Sequence, residues 1–325
     1  MIYYRVYGLT FQSSCELPGL DCTQESTVDY ILRFDSDRFE TLCRQFCNAW
    51  YISSWRLNCG RAVLKVWKGE DGGKFLFRFY DDVGFIVDRD LGELWVDSAG
   101  GTMLQAATRH LLFSLPGFLL GLRKSACLHG AAIGWGDGAV AMLGVSNSGK
   151  SVLSASMAAQ GFDVLSDDLV ALDVIDGTVM VYSGYPWICL RPDSIHWLGA
   201  ENLSAYQSSS EWHYLDDVYV TWDLPGAASQ SKARRLEAIY FLTPTKDAKC
   251  RPAIESIPKH QALMMLMEAA DRTHIPYSEF RRQEFSLMGA VADAIPAYRL
   301  RYYLSANSLP ALSSVTTTSW AAMRQ

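Results

Sequence analysis

Residues Gly144 to Ser151 read GVSNSGKS, and the chain on either side gives that string its meaning. It fits the pattern G-x-x-x-x-G-K-[S/T], which requires a strand before it and a helix after it. Both are readable. Ala131–Trp135 and Ala139–Leu143 are short apolar runs around the turn triplet Gly136-Asp137-Gly138, as in a β-hairpin, and Ser151–Gln160 reads as a helix stopped by Gly161. Glycines at 144 and 149 free the backbone to curl its N–H groups toward phosphate oxygens, and the helix start adds unpaired donors and a positive dipole end. In such a loop Gly144, Ser146, Asn147, Ser148 and Gly149 form the cup. Lys150 reaches the β- and γ-phosphates of ATP or another nucleoside triphosphate, and the Ser151 hydroxyl ligates Mg²⁺. The competing reading is a Gly/Ser loop ahead of an ordinary helix, with Lys150 exposed.

Working downstream, Phe162–Leu165 reads as a strand that ends in Ser166-Asp167-Asp168. If a right-handed crossover sets this strand beside the one feeding the loop, the two carboxylates emerge at the same sheet edge as the phosphates. Adjacent acids there divide the labour: Asp167 as proton acceptor, Asp168 as the metal-side acid. A turn-capping pair is the alternative. His129, in Cys127-Leu128-His129-Gly130, enters the hairpin, where a lone histidine also suits a satisfied turn position.

Farther out, the first 98 residues are strand-like and rich in turns. Candidate strands are Ile2–Tyr7, Val28–Phe34, Ala62–Trp67, Phe75–Tyr80, Gly84–Val87 and Glu93–Val96, with one helix at about Ser36–Trp50. The expected division is a β-rich scaffold or docking domain over 1–98 and a nucleotide-binding, catalytic domain over 99–325. Residues 102–125 read as a helical bridge broken at Pro116-Gly117. Beyond the Asp pair come a strand pair, Leu169–Val174 and Thr178–Tyr182, an exposed loop over Glu201–Tyr214 and a buried strand at Ala238–Leu242. Helices at His260–Asp271 and Ser278–Ala294 and a strand at Tyr298–Leu304 follow.

Composition narrows the partners. With 29 Lys plus Arg against 35 Asp plus Glu, the formal charge is −6 and no basic block is present, which argues against nucleic acid. Eight cysteines show no C-x-x-C pair or zinc-like spacing, the longest apolar run is cut by Ser114 and Pro116, and the N-terminus lacks a signal-peptide pattern. The expectation is a cytoplasmic protein with no membrane partner, its oligomeric state left open, a homo-oligomer included.

Residues 128–173, LHGAAIGWGDGAVAMLGVSNSGKSVLSASMAAQGFDVLSDDLVALD, resemble the catalytic core of the HPr serine kinase/phosphorylase family. The shared parts are a His-Gly pair, a short hairpin, the loop, a helix ending in Gly and an Asp-Asp pair. The resemblance implies an α/β fold with a phosphoenolpyruvate-carboxykinase-like P-loop kinase core. It also implies Asp167 as proton acceptor, Asp168 near the metal and His129 beside the phosphates. The family's bifunctional members carry a downstream E-x-R-G-x-G signature, and this chain has no Arg-Gly dipeptide. Its layout is similar to the HPr-kinase-related proteins of lasso-peptide clusters, through the start YYRVYGLTF, the AIYFL and YRLRY strands and the L-P-A-L stretch. That likeness implies a peptide or protein substrate with an accessible serine, at the C-terminus of a precursor. A free small-molecule hydroxyl and a non-catalytic nucleotide sensor are the alternatives. Arg191, Lys232, Arg234 and Arg235 are candidates for neutralising the transferred phosphate.

Overall fold

The computed structural model describes residues 1–97, 101–185, 187–198, 207–214, 217–223, 233–270 and 278–324. The chain is a mixture of sheets and helices that divides into two compact units, one built on Met1–Leu122 with Ser278, the other on the described residues of Arg123–Asp271 and Glu279–Gln325.

In the first unit, β1 (Ile2–Val6), β2 (Leu9–Ser13), β3 (Tyr30–Arg33), β4 (Tyr51–Ile52), β5 (Leu64–Lys68), β6 (Lys74–Phe79), β7 (Gly84–Asp88) and β8 (Glu93–Asp97) form one sheet. Its order is β1-β2-β3-β8-β7-β6-β5-β4. The strand β2 was not read from the sequence, and the expected helix over 36–50 is shorter, α1 (Ser36–Cys43), started by the Asp35 side chain accepting from the Arg38 N–H at 2.9 Å. The apolar bridge forms two helices, α2 (Gly101–Phe113) and α3 (Pro116–Leu122). The break falls before Pro116 rather than at it, because proline is favoured at a helix's first position. These helices belong to the first unit, so the compact units divide at residue 122 where the sequence suggested 98. The reason is packing: Phe118 meets Phe75 and Phe77 edge-on at 5.0 and 4.9 Å, and the Tyr30 hydroxyl donates to the Leu119 carbonyl at 3.3 Å.

In the second unit, the hairpin is β9 (Ala126–Trp135) with β10 (Gly138–Leu143). It joins β11 (Asp163–Ser166), β12 (Leu169–Ile175) and β13 (Thr178–Tyr182). Three more strands, β14 (Trp187–Leu190), β15 (Gln207–Tyr214) and β16 (Asp217–Asp223), form a separate sheet in the order β14-β16-β15. The expected loop over 201–214 is therefore a strand from 207; residues 201–206 lie outside those described. The main sheet is completed by β17 (Arg234–Thr245), β18 (Ala253–Ile257) and β19 (Ala297–Tyr303). Strand β10 pairs with β9 on one side and, in parallel, with β17 on the other, so the circuit β10-β9-β12-β13-β17 closes on itself.

The residues of β10 explain its place. All six are buried, and they alternate between two apolar clusters: Ala139, Ala141 and Leu143 face one, Val140 and Met142 the other. The first cluster draws on helices Lys259–Ala269 and Ser278–Ala294, the second on α4 (Lys150–Ala158) and helix Leu309–Met323. A strand apolar on both faces belongs in the middle of a layered unit, and its carboxyl end delivers the glycine loop.

Candidate functional site

The loop leaves β10 at Leu143 and closes a turn in which the Ser148 N–H donates to the Val145 carbonyl at 3.1 Å. Within it Asn147 takes φ 64 and Gly149 φ 93, left-handed values that asparagine tolerates and glycine adopts freely. A Cβ at Gly149 would stand 2.9 Å from Leu304 Cδ1, and one at Gly144 would stand 2.8 Å from the Ser148 hydroxyl. Gly149 starts α4 without a side-chain cap, which leaves the helix start to whatever anion the loop holds. Ser146 and Asn147 are exposed, whereas Ser148 is fully buried and its hydroxyl has no hydrogen-bond partner.

Lys150 is 7% exposed, and its ammonium donates to the carbonyls of Gly144 at 2.9 Å and Val145 at 3.2 Å. Burial holds its pKa below the usual lysine range, against the pull of Asp168 and Asp167. The lysine expected to be at the phosphates thus sits under the loop, within electrostatic reach of both acids.

Those acids arrive by a route that differs from the expected one. Strand β11 is not beside β10. It pairs antiparallel with β9, which lies between the two. Because β9 runs against both neighbours, β10 and β11 still point the same way, and the edge is the same. Gly130 stands opposite Leu143, Ala132 opposite Ser166, and His129 opposite Leu169. The loop, the Asp pair and His129 therefore meet at one end of the sheet.

Asp167 is 1% exposed. The Cys189 N–H donates to its Oδ2 at 3.1 Å, and its Oδ1 is buried without a hydrogen-bond partner. Burial pushes its pKa up to about 6, with Asp168 adding to the rise and Ser151, the Cys189 amide and Lys150 opposing it. Asp168 differs: φ is 79, its side chain is 43% exposed, and its Oδ1 lies 3.3 Å from His129 Nδ1. Burial also pushes the Cys189 thiol well up, with both carboxylates adding to the effect.

Two of the basic candidates, Arg234 and Arg235, lie away from the loop. Arg235 stands opposite Gly138, at the start of β10 and five residues from the loop, roughly 17 Å at 3.3 Å per residue. It pairs with Glu237 at 3.0 Å, and Arg234 pairs with Asp163 at 2.5 Å. Arg191 lies 5.8 Å over the Tyr219 ring, and Lys232 falls outside the described residues. Sequence reasoning missed three contributors: Tyr185, whose hydroxyl donates to the Asp167 carbonyl at 2.6 Å; the Cys189 amide; and Tyr302, whose hydroxyl donates to the Ser148 carbonyl. The separations are 18, 22 and 154 residues, and no local pattern marks them.

Among the described residues no group of three or more His, Cys, Asp or Glu could hold a metal by itself, and no helix is long and apolar enough to cross a membrane. Mg²⁺ does not need such a cage, since it is bound through one or two protein oxygens with phosphates and water. The residues present fit it: the unpartnered Oδ1 of Asp167 lies on a buried carboxylate beside Ser151.

No protein-family model matches the sequence, and no curated protein does. Among solved structures, the chain is similar to the HPr(Ser) kinase/phosphatase from Coxiella burnetii. The two share 11% identity with a TM-score of 0.34, over 61% of this chain and 92% of that one.

Proposed function

We propose that the chain is a kinase that transfers the terminal phosphoryl group of ATP, or another nucleoside triphosphate, to a serine hydroxyl of a peptide or protein. The observation that carries this reading is the meeting, at one sheet edge, of the glycine loop and Lys150 with two adjacent carboxylates, one buried and one half-exposed. Phosphoryl transfer asks a protein mainly for positioning and charge neutralisation. The Mg²⁺-bound nucleotide supplies the activated phosphoryl group and a divalent charge next to it.

The chain's own residues supply the rest. The loop Gly144–Gly149 and the start of α4 hold the phosphates, and Lys150 neutralises them from beneath. Ser151 and Asp167 are suited to the metal, which would give Asp167 Oδ1 the partner it lacks. Asp168 is suited to accept the serine proton as the new O–P bond forms and the bond from the terminal phosphorus to the bridging oxygen breaks, which releases the nucleoside diphosphate. A hydroxyl arriving from solvent meets a side chain that is 43% exposed, and His129 at 3.3 Å orients it. This order reverses the assignment suggested by the sequence, and burial is the reason. The resemblance of residues 128–173 and of the overall layout supports a precursor peptide ending in serine as acceptor.

The test is to incubate the protein with Mg-ATP and a serine-ended precursor peptide and to follow the mass of the peptide. A gain of one phosphate that vanishes in Asp168→Asn supports the reading. Normal ATP binding with no transfer to the peptide or to a mixture of hydroxyl metabolites overturns it.

A further inference from the structure

We infer that two buried tyrosines, Tyr185 and Tyr302, are positioning residues that set the main chain of the two halves of the site, Tyr185 the acidic turn and Tyr302 the glycine loop. The inference rests on the kinase reading and assigns work that the reading leaves open: what keeps the carboxylates and the loop in place.

The acidic turn needs such support. Asp168 at φ 79 occupies a left-handed conformation that is costly for a residue with a side chain, so neighbours must hold it. Both carbonyls of the turn are held. The Tyr185 hydroxyl donates to the Asp167 carbonyl at 2.6 Å, and the Gly130 N–H donates to the Asp168 carbonyl at 2.9 Å. Tyr185 is 1% exposed, and its ring stacks on Trp187 with centroids 4.9 Å apart and planes at 27°. Two residues past Trp187, the Cys189 N–H takes Asp167 Oδ2 at 3.1 Å. The Tyr185 hydroxyl and the Cys189 amide thus grip Asp167 at its carbonyl and at one carboxylate oxygen, while Oδ1 keeps no hydrogen-bond partner.

The loop has its own strut. Tyr302, fully buried on β19, donates to the carbonyl of Ser148, the residue before the left-handed Gly149. Burial pushes the Tyr302 hydroxyl's pKa upward, so it remains a donor across the working pH range. Leu304, two residues on, packs where a Cβ of Gly149 would stand.

A third tyrosine provides the control. Tyr240 is equally buried, and its hydroxyl donates to the Ser319 hydroxyl at 3.0 Å, a side chain of helix Leu309–Met323 and not a main-chain atom of the site.

The experiment compares Tyr185→Phe, Tyr302→Phe and Tyr240→Phe in the full chain, each checked for folding by circular-dichroism melting. A fluorescent ATP analogue is titrated with and without Mg²⁺. Tyr302→Phe is expected to weaken binding about tenfold in both conditions. Tyr185→Phe is expected to leave Mg²⁺-free binding unchanged, to lose about tenfold of the Mg²⁺-dependent gain, and to lower kcat without moving the KM for peptide. Tyr240→Phe should move neither binding nor kcat. If Tyr185→Phe does not fold, Trp187→Phe, which loosens the stack and keeps the hydroxyl, must show a smaller loss of the same Mg²⁺-dependent kind. Equal losses in all three variants, or none in the two site variants, overturn the inference. A wild type that binds the analogue but phosphorylates no acceptor overturns the kinase reading instead, and the two binding arms still report on the tyrosines.

Discussion

Each unit of the molecule sets a histidine against an aspartate, and the two pairs are built to opposite ends. In the first unit, His110 is 5% exposed at its side chain. Its Nε2 meets both oxygens of Asp81 at 2.9 Å, its Nδ1 meets the Ser114 hydroxyl at 3.1 Å, and its ring lies 3.8 Å from Phe79 at 10°. Every polar atom of that imidazole is engaged, and the pair ties the turn after β6 to the end of α2. In the second unit, His129 and Asp168 are 36% and 43% exposed and 3.3 Å apart. At the same end of the sheet a buried carboxylate and a buried hydroxyl, Asp167 and Ser148, each keep an atom without a partner. A saturated network rigidifies, whereas buried groups left short of partners cost stability and are kept where a ligand completes them. The constellation Ser114–His110–Asp81 uses the residue types of nucleophilic catalysis, yet it is the half-exposed pair that lies at the glycine loop's end of its sheet.

The sharpest way to break this contrast is to remove chemistry from one pair and stability from the other. Asp168→Asn should lower phosphoryl transfer about 10³-fold, measured as kcat on the serine peptide, while the melting temperature changes little. His110→Ala should do the reverse. Losing the partner of Asp81 and the stack on Phe79 should cost about 3 kcal/mol in urea unfolding of the first unit, with affinity for the ATP analogue unchanged. A collapse of nucleotide binding in His110→Ala would remove the distinction drawn between the two pairs. Gly149→Ala should come next, at about 2 kcal/mol, because φ 93 and Leu304 at 2.9 Å leave no room for a Cβ. Unlike His110→Ala, it should also weaken nucleotide binding, since the strain falls on the loop.

How much of this was legible in the chain follows from the distance over which each feature is determined. The hairpin, the glycine loop and α4 are local: apolar runs, a turn triplet and left-handed glycines lie within thirty residues of one another. The placing of Asp167 and Asp168 at the loop's edge came from a crossover argument whose neighbour was wrong. With β9 interposed, the direction of β11 was preserved and so was the edge. Strand β15 was hidden by Ser208-Ser209-Ser210, which reads as a loop, and it is a strand because it pairs with β16. The helix from Leu309 to Met323 was hidden by its serines and threonines, weak helix formers. It forms around Leu312 and Trp320, with Ser313 and Thr316 buried on the same helix. The roles of Tyr185 and Tyr302 were invisible because a tyrosine hydroxyl carries no sign of which carbonyl it will find.

The smallest expected effect tests the saturated pair through pH. Burial alone would raise the Asp81 carboxyl, but the hydrogen bond and charge of His110, with backbone donors at Asp81 and Val83, more than offset it and hold the pKa below the usual 3.8. A carboxyl depressed on folding contributes stability that is fully present above its unfolded value and is lost as pH falls through its folded value. The gap in melting temperature between wild type and Asp81→Asn should therefore still be open at pH 5 and close only below 3.8. The group facing the pair from α2, Arg109, stays cationic throughout, so it does not imitate this profile. A gap that closes instead between pH 7 and 5 would mean that Asp81 is raised rather than lowered. Asp81 would then resemble the buried Asp167 at the loop, and the contrast between the two units would fail.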